Sequence, residues 1–117
     1  MFLFTLKHCI ADVFLQTYHT GVNKEKYLGL GGHRHYIEHG VCTLFLLLFF
    51  IDPVFAVLFG LLDYIAHWHI DWCKTRLYKG WGWKRHEPRF WRLHTLDQIL
   101  HFSTYGLIVY LIISMSL

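Results

Sequence analysis

Four apolar blocks leave this chain few ways to fold. They run over about residues 2–18, 36–51, 53–77 and 93–117, and "CTLFLLLFFI" and "YGLIVYLIISMSL" are their greasiest parts. Each reaches or approaches the roughly 20 residues that cross the hydrocarbon of a bilayer. The first two are short, so tilt or local thinning is expected. Hydrophobic residues make up 55% of the 117 positions and charged residues only 16%, with a mean hydropathy of +0.33. A soluble domain of this length needs more polar surface to cover a small core. The expected fold class is therefore all-α: one integral membrane domain over residues 1–117, built as a four-helix transmembrane bundle. Asp52-Pro53 separates the second and third blocks, because Pro53 suits the first turn of a helix and restricts the residue before it.

Charge is segregated. Two loops, "HTGVNKEKYLGLGGHRH" and "KTRLYKGWGWKRHEPRFWR", hold or border ten of the eleven basic residues, and only Lys7 lies elsewhere. With four spans both loops fall on one side. The bias of Lys and Arg toward the cytoplasm then predicts an inner-membrane protein with both termini outside. The opening "MFLFTLKHCIADVFLQ" has no basic region ahead of its apolar run, and His8 and Asp12 interrupt it, so it reads as a retained span rather than a signal peptide. Trp81, Trp83 and Trp91 among the basic residues of 79–92 read as an interfacial belt. Their sharper reading is a lid that gathers a phosphate-bearing substrate. Nucleic acid is not an expected partner for a loop that abuts a bilayer; membrane lipids are, and a bundle with so little interior suits a homo-oligomer.

The third block, "LLDYIAHWHIDWCKTRL", carries Asp63, His67 and Asp71 at four-residue intervals, within about 80° of one another on a helix. His69 points roughly the opposite way. The same grammar recurs in every block: His8, Asp12 and Gln16 in the first, His35 and His39 in the second, and His94, Asp97 and His101 in the fourth. By position each stripe falls in the half of its span next to the basic loops, so an inward-facing bundle places a polar His/Asp site in the cytoplasmic half. His19, His33 and His86 are read as loop residues.

An Asp near the middle of a span costs about 2.5–3.5 kcal/mol to insert. Lys and Arg inside the spans look too few to pair with Asp12, Asp63, Asp71 and Asp97, so a divalent ion is expected to neutralise them. Helical His/Asp pairs one turn apart make good chelates. Mixed imidazole and carboxylate donors suit zinc first, with manganese or iron as alternatives, and suit an open rather than a closed site. The expected ligands are His8, Asp12, His35, His39, His67, Asp71, Asp97 and His101. Cys9, Cys42 and Cys73 form no C-x-x-C pair and read as reduced thiols; Cys42, three residues after His39, can share its face.

"HCIADVFLQT", "HRHYIEHGV", "LLDYIAHWHIDWCKTRL" and "LHTLDQILHF", taken in order, resemble an uncharacterised family of small bacterial and phage membrane proteins, domain of unknown function 3307. The matching residues are His8, Asp12 and Gln16; His35 and His39; His67, Asp71 and Lys74; and Asp97, Gln98 and His101. The Trp-rich loop has no counterpart in that pattern. The resemblance implies the site without naming a reaction. A looser similarity links the pattern to membrane-bound metal-dependent hydrolases, by analogy alone.

Three functions follow. The first is a membrane-embedded metal-dependent hydrolase acting on a lipid or other amphiphile at the inner-leaflet interface. There a divalent ion supplies an activated water at neutral pH. Asp63 or Asp12, where it is not a ligand, is the expected general base, and Lys74, Arg76 or Arg92 clamps an anionic group. The second is a non-catalytic metal-binding protein or an ion-transporter component, which needs a polar path through the external half; Thr5, Lys7, Ser114 and Ser116 are its chief candidates there. The third is a phage or host membrane factor that binds a partner through the Trp loop, with the stripes serving only to join helices.

Overall fold

A computed structural model describes residues 1–16 and 24–116, the side chain of Ser116 excepted. Four helices account for most of them, and no strand occurs among the described residues. Helix α1 spans Phe2–Ile10 and continues as a π-turn over Ala11–Leu15. Helix α2 is Leu30–Leu47, α3 is Pro53–Gly80 and α4 is Pro88–Ser116. The π-turn is closed by the Gln16 amide on the Ala11 carbonyl, 3.0 Å. Such wide turns gather at functional sites, and this one carries Asp12.

The ends of α3 follow from local sequence. The Asp52 side chain accepts from the Val54 amide at 2.9 Å, with Pro53 in the first turn. At the other end Trp83 N–H reaches Tyr78 O at 2.8 Å and Gly82 N–H reaches Lys79 O at 3.1 Å. This 6→1 and 5→2 pair needs a left-handed residue between helix and loop, and Gly82 supplies it at φ 67°.

Four boundaries differ from the sequence reading. Helix α2 starts at Leu30 rather than Tyr36 and stops at Leu47, so His33 is helical and not in a loop. Its glycine-rich start stays helical because Gly32 lets the Tyr36 ring lie over it; a Cβ there would stand 3.0 Å from the Tyr36 hydroxyl. Helix α3 runs three residues past Leu77, to Gly80. Helix α4 opens at Pro88, a residue suited to a first turn, rather than at Leu93. The end of the first block, up to Tyr18, and His19 lie outside the described residues.

The polarity of the molecule is inverted. Buried positions include Lys7, His8, His35, His39, Thr43, Asp63, His67, Asp71, Thr75, Asp97 and His101, while Phe14, Leu30, Phe49 and Val54 stand on the outside. Helices α3 and α4 are each long and apolar enough to cross a membrane. Helices α2 and α3 meet at Gly40 and Gly60; a Cβ on Gly40 would fall 2.8 Å from the Gly60 carbonyl. Away from the basic loops the interior is apolar: Phe4, Leu47, Ala56, Phe59, Tyr105 and Ile108 form one cluster. The polar residues lie next to it, toward the loops.

Candidate metal centre

The buried stripes converge. On α2 the inward positions are Gly32, His35, Tyr36, His39, Gly40, Thr43 and Leu47; on α3 they are Ala56, Phe59, Gly60, Asp63, His67, Asp71 and Thr75. Both step by three or four residues, so one face of each helix is polar near the loops and apolar at the far end. Helix α4 adds Asp97 and His101, and α1 adds Lys7, His8 and, from its π-turn, Asp12.

His67 is the hub. Its ring stacks on His39 at 3.6 Å and on His101 at 3.9 Å between centroids. Two groups of donor atoms share it: Asp12, His35, His39 and His67, and His67, Asp71 and His101. Within each group all donor atoms lie within 4.8 Å of one another. Asp12 Oδ1 stands 3.0 Å from His39 Nε2 and 3.4 Å from His35 Nε2. Asp71 Oδ1 stands 3.4 Å from His101 Nε2. Ligand atoms around a tetrahedral zinc, each at about 2.1 Å from the ion, stand about 3.4 Å apart. The donors are therefore already near coordination spacing.

The fit has a second support. His67 and His35 are each about 1% exposed, and Nδ1 of each lacks a hydrogen-bond partner among the described residues. The approach of His67 Nδ1 to Asp63 Oδ1 is 3.8 Å, too long for a hydrogen bond. Buried polar atoms are rarely left so, and an ion is one of the ordinary explanations. The described residues can hold a divalent metal with nitrogen and oxygen donors. No cysteine joins either group; all three thiols are free, and Cys42 lies outside the donor set.

Six of the eight expected ligands, Asp12, His35, His39, His67, Asp71 and His101, fall in the two groups. The other two lie beside them. Asp97 accepts from Lys74 Nζ at 2.8 Å and stands 3.6 Å from His101 Nε2. His8 Nδ1 meets the Tyr105 hydroxyl at 2.8 Å, and its Nε2 lies 3.2 Å from Asp12 Oδ2. Because Lys7 donates to the Tyr105 oxygen at 3.1 Å, the phenol proton is directed to His8 Nδ1. That leaves the His8 Nε2–H to hold Asp12. His69 does turn away, onto the Tyr27 hydroxyl at 3.1 Å.

The expectation that lysines are too few to pair with the carboxylates is overturned. Lys7 meets Asp63 at 2.7 Å, Lys24 meets Asp71 at 2.6 Å and Lys74 meets Asp97 at 2.8 Å. Asp12 has three imidazoles instead. The error lay in counting cations by helix: Lys24 reaches in from a loop, and Lys74 reaches α4 from near the end of α3. Lys7 is also not a lining residue of an external half. It is 7% exposed beneath the histidines and donates to Asp63, Thr43 and Tyr105. Asp63, named as a general base, is engaged there with Lys7 and Thr43.

A cleft of about 630 Å³ opens from the cluster toward the basic loops. Asp12 and Asp71 lie at its inner end, and Lys24, Lys74, Lys79, Arg85 and Trp91 line its walls. Of the three residues expected to clamp an anionic group, Lys74 lines the cleft and Arg76 and Arg92 do not. Glu25 Oε2 stands 2.8 Å from Lys79 Nζ across the cleft, and this ion pair holds its carboxyl below the usual range.

This is an all-helical protein with two membrane-length helices around a buried His/Asp/Lys cluster. Its sequence matches, over residues 1–117, the model of the family described as "Protein of unknown function (DUF3307)", and the chain belongs to that family. No curated protein and no solved structure matches it.

Proposed function

We propose that this protein is a four-span membrane bundle holding a divalent metal at its basic end, and that it is a metal-dependent hydrolase of a lipid or other amphiphile. The observation that carries the reading is the pair of His/Asp groups that share buried His67, each with its donor atoms within 4.8 Å of one another. The inverted polarity and the 47 Å long axis suit a bilayer of about 40–45 Å with its headgroups. The basic loops face the cytoplasm, where juxtamembrane Lys and Arg accumulate. Zinc is the first candidate ion for such donors.

A divalent ion in this position supplies Lewis acidity and an acidified water. The chain's own residues do the rest. Asp12, its side chain 32% exposed, is the cluster carboxylate most open to the cleft, so an ion that it helps to hold would be reached by water arriving there. His8 orients Asp12. Asp63, held by Lys7 and Thr43, forms a floor under His67, as carboxylates behind metal-bound histidines do. Lys74 holds Asp97 beside His101. The apolar cluster of Phe4, Phe59 and Ile108 closes the far end, which favours a one-sided site over a conduit.

The test is turnover of a lipid panel by pure, metal-loaded protein. The expected result is chelator-sensitive hydrolysis of at least one amphiphile, abolished in Asp71→Asn and His101→Ala. Full metal occupancy with no turnover across the panel counts against the hydrolase and leaves a metal-binding protein.

A further inference from the structure

Asp71 is claimed twice. Its Oδ1 lies 3.4 Å from His101 Nε2 within the His67, Asp71 and His101 donor group, while its Oδ2 receives Lys24 at 2.6 Å. Among the described residues Lys24 also donates to Gln16 Oε1 at 3.1 Å. The segment that follows it is tied to α3: Trp72 Nε1 donates to Glu25 O at 3.1 Å, and Trp68 Nε1 donates to Tyr27 O at 2.9 Å. The ammonium sits on Asp71 at the wall of the cleft.

The charges of the cleft decide what it would receive. Its cations are Lys24, Lys74, Lys79 and Arg85. Lys79 is matched by Glu25 and Lys74 by Asp97. Arg85 makes no ion pair among the described residues. Once Asp12 and Asp71 face a divalent ion, Lys24 loses most of its counter-charge. Two cations, one of them a guanidinium suited to tetrahedral oxyanions, then line a cleft whose inner end, a divalent ion facing two carboxylates, no longer carries net negative charge.

We infer that the cleft is a subsite for a phosphate dianion, the headgroup of a phosphomonoester, and that it forms only when the metal is bound: Asp71 turns to the ion and Lys24 exchanges from Asp71 to the phosphate. The inference rests on the metal reading of the cluster. It adds the chemical class of the ligand and an order of binding, metal before anion. Linkage makes the coupling reciprocal, so phosphate tightens metal by the same factor that metal tightens phosphate.

The test uses full-length protein in detergent, titrated with chelator-buffered zinc with and without inorganic phosphate. Wild type is expected to gain about tenfold in zinc affinity with phosphate, within the usual range of coupling. Lys24→Gln is expected to bind zinc several-fold more tightly than wild type without phosphate, because a competing cation is gone, and to lose most of the coupling. A merely structural lysine would weaken zinc binding when replaced. Arg85→Gln is expected to leave zinc affinity alone and weaken phosphate. A parallel arm replaces free phosphate by nanodiscs of phosphatidylcholine with or without phosphatidic acid. Coupling there assigns a lipid headgroup, and coupling to free phosphate alone assigns a soluble ligand. Zinc uptake indifferent to phosphate in both arms, or unchanged coupling in Lys24→Gln, overturns this inference and leaves the metal site standing. Failure of wild type to bind zinc in either condition overturns both.

Discussion

At the scale of single residues, Lys7 separates charge pairing from metal binding. It meets Asp63, Thr43 and Tyr105 with almost no access to water. Removing one member of a buried ion pair strands the other, at a cost of about 3–5 kcal/mol, whereas replacing both with apolar side chains is often neutral. Lys7→Met is therefore expected to destabilise by about that amount, and Lys7→Met/Asp63→Leu to recover most of it, read by reversible unfolding in mixed micelles. Asp63 also backs His67 without entering either donor group. Asp63→Asn should lower zinc affinity about 10–100-fold, as loss of an outer partner does, and His39→Ala should lower it further. An equal effect of the two variants would place Asp63 among the ligands. The stripe spacing made it legible that six of the eight expected ligands come together, because residues one turn apart must share a face. The contact of His8 with the Tyr105 hydroxyl was not legible, because no His/Asp motif contains that residue.

Helix pairs set the precision of the site. His39 and His67 stack because α2 and α3 approach at Gly40 and Gly60, where a methyl on either residue meets the other's carbonyl within 2.9 Å. Gly40→Ala is expected to cost about 1–3 kcal/mol, as overpacking does, and to weaken zinc binding by parting the rings. Gly106→Ala, with nothing within 4 Å of the added carbon, should leave both unchanged. Unfolding curves and zinc titration of the two variants check this pair of outcomes. Block lengths and the Asp52-Pro53 turn gave the four helices. The early start of α2 was hidden by glycines, which lower helix propensity in isolation but here make room for the Tyr36 ring. The π-turn that presents Asp12 has no short motif, since it is one extra residue in a helical register.

For the whole molecule, charge segregation and inverted polarity make a directional expectation. In a background where Cys9, Cys42 and Cys73 are serine, Asp52→Cys should react with an impermeant maleimide in intact cells. Lys84→Cys should react only after permeabilisation. The reverse pattern would put the basic cleft outside. The cleft itself was not legible in the sequence. Its lining comes from the π-turn, the segment at Lys24–Glu25, the end of α3 and the start of α4, which only folding brings together. Counting cations helix by helix missed the three lysines for the same reason.

X-ray absorption at the zinc edge of purified, zinc-equilibrated protein interrogates the cluster most directly. A centre made from Asp12, His35, His39, His67, Asp71 and His101 gives a first shell of nitrogen and oxygen at about 2.0–2.2 Å with imidazole outer-shell scattering, and loses the imidazole signal in a His39→Ala/His67→Ala protein. Sulfur at about 2.3 Å, or protein that retains no zinc above a chelated control, would contradict a His/Asp metal centre.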